Sequence, residues 1–116
     1  MKSILKLTLL ILFFLTGSCS KDKEIKRLLT SSKPYENVEG AYQAMQSDDL
    51  NYVPLILKNS GRPGATTALQ FKGVTVYEES MYALQHLLHV KPPNLITDSV
   101  DSVNVKFYIN YWKHFK

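Results

Sequence analysis

Few side chains in this 116-residue sequence are spaced to do chemistry. His86 and His89 stand three apart, so a helix would set them on one face as half of a metal site. No cysteine and no acidic residue at ligand spacing supplies the other half. They are read instead, with His114, as exposed residues near helix ends, where positive charge is favoured. Asp48-Asp49 and Glu78-Glu79 are sequence neighbours at expected helix starts. Catalytic carboxylate pairs must converge on one substrate, whereas capping and the helix dipole explain neighbours like these. No spacing of serines and histidines singles out a nucleophile with its base. Phosphate loops, nucleophile elbows and metalloprotease motifs are missing from the sequence. The expectation is therefore a protein that is not an enzyme, with no metal, no other cofactor and no small-molecule substrate. Cys19 is the only cysteine, so the fold cannot rest on an intramolecular disulfide.

The setting of Cys19 is more informative. Lys2 and Lys6 open the chain, Leu7–Leu15 is an apolar run broken only by Thr8, and Thr16-Gly17-Ser18 are small. Positive, then apolar, then small is the layout of an export signal. The run is far shorter than the roughly 20 residues needed to cross about 30 Å of hydrocarbon. Charged Lys21-Asp22-Lys23-Glu24 follows almost at once, which argues against a permanent spanning helix. An ordinary secretory signal cut after Ser18 or Ser20 remains open. An unpaired cysteine in an exported protein is a reactive liability, and one that closes an apolar run has a ready explanation.

Leu15-Thr16-Gly17-Ser18-Cys19 resembles a bacterial lipoprotein signal, with the leucine one place earlier than the family's pattern puts it. Looser boxes of this kind look like those of Bacteroidota. The resemblance implies that residues 1–18 are a signal peptide and that Cys19 is the lipid attachment site. It also implies acyl chains such as palmitate and an outer-membrane address, on the periplasmic or the surface-exposed face. Burial of each CH₂ contributes about 0.8 kcal/mol, so one chain holds marginally and two hold stably. Lys21–Glu24 is similar to the surface-export signals of that group; a solvated tether is the equal alternative.

Without residues 1–18 the chain loses two of its 14 basic residues and none of its 10 acidic ones, so the formal charge of +4 falls to +2. So small a charge gives little attraction for a phosphate backbone, and no nucleic-acid partner is expected. Ser20–Pro34 carries only Ile25, Leu28 and Leu29 among polar residues, and is read as a lipidated tether over 19–35 with a short frayed helix around Glu24–Leu29. The folded domain is expected over 36–116.

In that domain Val38, Ala41, Tyr42 and Met45 recur on one helix face, and Gly40 either weakens the helix or lets a neighbour approach. Pro54 belongs in the first turn of the next helix. Asn59–Gly64 is a turn, and Ala65–Phe71 is a short segment ending at Gly73. Thr75-Val76-Tyr77-Glu78 fits a capping box. Behind it Val76, Tyr77, Ser80, Met81, Leu84, Leu87 and Leu88 form a stripe, with Glu78, Glu79, Tyr82, Gln85, His86 and His89 opposite. Pro92-Pro93 stops that helix. A last helix is expected to bury Val103, Phe107, Tyr108, Tyr111, Trp112 and Phe115. The fold class is all-α, with four to five helices.

Ala41–Leu57, Gly73–Leu88 and the aromatic ending Tyr108–Trp112 resemble a HEAT-type helical-hairpin protein over 36–116. A faint echo sets Ala44-Met45 against Ala83-Leu84 and Leu55-Ile56 against Leu95-Ile96, near the repeat length of roughly 40 to 47 residues. An unrelated four- or five-helix bundle is the competing reading. Tyr42, Tyr77, Phe107, Tyr111 and Trp112 are expected in the core, and Tyr82, His86 and His89 form the candidate partner-binding patch. The sequence thus predicts a lipid-anchored envelope protein that works by protein–protein interaction. The alternative is a periplasmic inhibitor or immunity-type protein that neutralises a toxin or hydrolase.

Overall fold

A computed structural model of the chain describes residues 20–62 and 73–115. The protein is a small all-α domain, with five α-helices among the described residues. Helix α1 has described residues 20–30. It is followed by α2 (Pro34–Ser47), a 3₁₀ turn (Leu50–Tyr52), α3 (Val53–Asn59), α4 (Val76–Leu88) and α5 (Ser102–Phe115). The signal segment, Cys19 and the whole of the short segment Ala65–Phe71 lie outside the described residues.

The first helix is where the fold departs from the sequence reading. Residues 20–30 are helical, and Ile25, Leu28 and Leu29 are each at most 2 % exposed. Residues 20–30 of the segment read as a tether are therefore helical and packed, more than the short frayed helix expected around Glu24–Leu29. Three apolar residues suffice because the spacing 25, 28, 29 concentrates them on one face. Polar side chains from later in the chain then finish the helix. Asn37 Nδ2 donates to the carbonyls of Leu28 (3.0 Å) and Ser31 (2.9 Å). Asn59 Nδ2 donates to the Leu29 carbonyl. Arg62 donates to the carbonyls of Ser31 (3.3 Å) and Ser32 (3.0 Å) and to Asn37 Oδ1 (2.6 Å). The last carbonyls of a helix have no partner within it, and a cation there meets the negative end of its dipole.

Gly40 explains how α1 and α2 come so close. A Cβ at this position would stand 2.9 Å from Leu28 Cβ and 3.0 Å from the Leu29 backbone nitrogen. The glycine is thus a contact surface for α1. Helix α2 starts on Pro34 itself, in the first turn, where a missing N–H costs nothing. Helix α3 likewise carries Pro54 in its first turn. Asp49 Oδ1 accepts from the Asn51 N–H (2.9 Å) to cap the 3₁₀ turn ahead of it.

Helix α4 is the centre of the domain and packs mainly against α2 and α3. Every residue of its expected stripe is buried, with Ala83 added. Thr75 Oγ1 accepts from the Glu78 N–H at 3.0 Å, which forms one half of the capping box. Both α2 and α4 end in a left-handed residue, Asp48 (φ 59°) and His89 (φ 56°).

After His89 the chain runs without helix to Asp101, and side chains stand in for the missing ladder. Asn104, fully buried, accepts from the Asn94 N–H through Oδ1 (2.9 Å) and donates through Nδ2 to the Asn94 carbonyl (3.0 Å). The same Nδ2 reaches the Tyr77 hydroxyl at 3.0 Å. Tyr108 donates its hydroxyl proton to the Val90 carbonyl at 2.7 Å. Burial raises the Tyr108 hydroxyl pKa well above its ordinary value, with Tyr77 adding to the effect. These bonds set the rotation of α5, so its inward residues are Asn104 and Tyr108. Val103 (52 % exposed) and Phe115 (45 %) face outward, against expectation, and Phe107, Tyr111 and Trp112 pack only partly against the core. The run of hydrophobic letters misplaced the face because the centre of that face is an asparagine.

Candidate functional site

Because α4 commits one side to the core, its other side must meet solvent. Glu79, Tyr82, Gln85 and His86 lie along that outer side, and Tyr42 and Met45 rise beside them from α2. Together the six line an open groove of about 580 Å³. Tyr82 is 44 % exposed and Tyr42 is 36 % exposed. The placement of Tyr42 corrects its assignment to the core. It sits at the edge of the α2 stripe, and Gln46 Nε2 donates to its hydroxyl at 2.7 Å.

At one end of the groove the C-terminal ends of α2 and α4 meet. His86 Nε2 lies 3.5 Å from Asp48 Oδ1, with both side chains more than half exposed. An exposed pair of this kind contributes little, on the order of 0–1 kcal/mol, and only when the histidine is protonated. At the other end Glu79 is partly withdrawn from water. That loss of hydration, together with the neighbouring Glu78 charge, holds its carboxyl above the ordinary carboxylate range. Among the described residues no lysine or arginine pairs with Glu79.

Of the residues singled out from sequence, Tyr82 and His86 come together in the groove. His89 lies off it, with its ring centroid 6.4 Å from that of His86, and its backbone takes the left-handed position that closes α4. Sequence reasoning missed Tyr42, Met45, Glu79 and Gln85 as groove residues. Glu79 and Gln85 were already on the polar side of the α4 pattern; what could not be read was that α2 would lie alongside.

No cluster of three or more metal-ligating side chains occurs among the described residues, and no described helix is long and apolar enough to cross a membrane. Comparison with protein-family models, with curated proteins and with solved structures returned no match.

Proposed function

We propose that the protein is a lipid-anchored component of a Gram-negative envelope that works without catalysis, by offering the α2–α4 groove to another envelope protein. The groove is the observation that carries this reading. Two tyrosines stand half out of the fold on either side of it, and amphipathic aromatics of this kind are favoured where proteins meet. The leader ending at Cys19 supports the anchor. The meeting of the α2 and α4 ends, with buried Ala44 and Ala83 39 positions apart, supports a HEAT-like relation between those helices. The second half of the echo sets helical Leu55-Ile56 against the non-helical Leu95-Ile96.

Two measurements test the proposal. Cys19→Ala is expected to move the protein from the membrane fraction to the soluble periplasmic fraction and to abolish incorporation of labelled palmitate. A variant that stays membrane-bound with its signal processed as before removes the anchor. A photoreactive residue at position 82 is expected to give a discrete crosslinked adduct in intact envelopes, while the same group at exposed Tyr35, outside the groove, gives none. Equal adducts at both positions, or none at 82, remove the interaction surface.

A further inference from the structure

We propose that the α2–α4 groove is a receptor for one lysine side chain of the partner, its ammonium seated against Glu79 and the ring of Tyr82. This rests on the reading of the groove as the interaction surface and adds the chemistry of what enters it.

Charge is the first argument. The two helices that build the groove carry four carboxylates, Glu36 and Glu39 on α2 and Glu78 and Glu79 on α4, and neither has a lysine or arginine. Glu36 is already engaged, by Arg27 at 2.8 Å and by the Ser31 hydroxyl at 2.7 Å. Glu79 is not: it lines the groove, is partly desolvated, and has no cation paired with it among the described residues. Asp48 adds negative charge at the far end beside His86. Among the described residues that line the groove there is a carboxylate and no lysine or arginine to meet an arriving cation.

The lining is the second argument. Ammonium groups are drawn to the faces of aromatic rings within about 6 Å, more strongly where water is excluded. Tyr82 supplies an exposed ring, Met45 supplies a polarisable apolar wall for a methylene stem, and Gln85 offers an amide oxygen. An ammonium has three donors and a flexible four-carbon stem. An open groove with one carboxylate and scattered single acceptors suits it better than a planar guanidinium, which is best matched by a bidentate partner.

Methionine methyl signals make the test direct. Met45 lines the groove and Met81 is fully buried, so within one protein they report binding and folding separately. The full chain, ¹³C-labelled at its methionine methyls, is purified in dodecyl maltoside. It is then titrated with Nα-acetyl-lysine N-methylamide, with the arginine analogue and with the neutral norleucine analogue. The lysine probe is expected to shift the Met45 methyl saturably while leaving Met81 in place, and the norleucine probe to shift neither. Glu79→Gln is expected to weaken the lysine probe about tenfold. Tyr82→Ala should weaken it, with Tyr82→Phe restoring most of the loss; an unmoved Met81 signal certifies that each variant is folded. Equal binding of the norleucine probe, tighter binding of the arginine probe, or undiminished binding by Glu79→Gln overturns the proposal. A crosslinked adduct at position 82 that survives Glu79→Gln overturns the lysine site and leaves the interaction surface standing. Saturable lysine binding with no adduct keeps the lysine site and removes the partner surface.

Discussion

Gly40 shows how one residue can carry two opposed terms. As a helix interior residue it costs roughly 1 kcal/mol relative to alanine. As a contact it lets the α1 backbone approach so closely that any added methyl meets Leu28 and Leu29. Of the atoms met, the Leu28 Cβ and the Leu29 nitrogen belong to or adjoin the α1 main chain and cannot swing aside. The steric term should therefore win. Gly40→Ala is expected to destabilise by about 1–3 kcal/mol, net of the propensity gain, in urea unfolding followed by circular dichroism. A stabilised variant would mean that α1 and α2 are not held at this distance. Asn104 carries the complementary lesson, since a polar residue at the centre of a face is tolerated when every one of its groups is partnered. Among the described residues no buried side-chain polar atom lacks a partner.

At the scale of the helices, both α2 and α4 close on a non-glycine residue with positive φ. Left-handed backbone costs an ordinary L residue about 1 kcal/mol or more that glycine does not lose. Asp48→Gly should gain in addition because it removes a negative charge from the negative end of the α2 dipole. Each of Asp48→Gly and His89→Gly is expected to raise stability by about 0.5–1 kcal/mol, read as an increase in urea midpoint at constant slope. Unchanged crosslinking from position 82 in His89→Gly would identify His89 as a helix cap alone. The same helices show how far the sequence was legible. The α4 stripe was readable to the residue because its pattern is regular and begins at an unambiguous cap. α1 was not, because the hydrogen bonds that finish it come from Asn37, Asn59 and Arg62, partners up to 31 positions away that local periodicity cannot reveal. The groove lies between these cases. Tyr82 and His86 were legible from the polar face of α4, whereas its other wall depended on where α2 would lie.

At the scale of the whole molecule, several carboxylates tie distant segments together, and pH should report it. The Tyr52 hydroxyl lowers the Asp22 pKa, helped by Lys26; the Ser31 hydroxyl and then Arg27 lower that of Glu36; the Asn94 amide lowers that of Asp101. A depressed folded-state pKa means that the unfolded chain binds the proton more readily, so the stabilisation is present above the ordinary values, 3.8 for Asp and 4.5 for Glu. It is lost as pH falls through the lower folded values. Glu79 acts in the opposite sense and is relieved by protonation. Urea stability is expected to stay level from about pH 7 to pH 5 and to decline below about pH 4, and Tyr52→Phe should flatten that decline. A Tyr52→Phe profile parallel to the parent would show that the Asp22 bond does not couple to folding. The early start of α1 has a mechanical corollary. Seventeen extended residues would give an anchored domain a leash of about 55–60 Å, whereas helix already present at residue 20 would leave almost no slack were Cys19 acylated as proposed. The body would then ride flush against the headgroups, and only partners at the bilayer's own surface would fall within its reach.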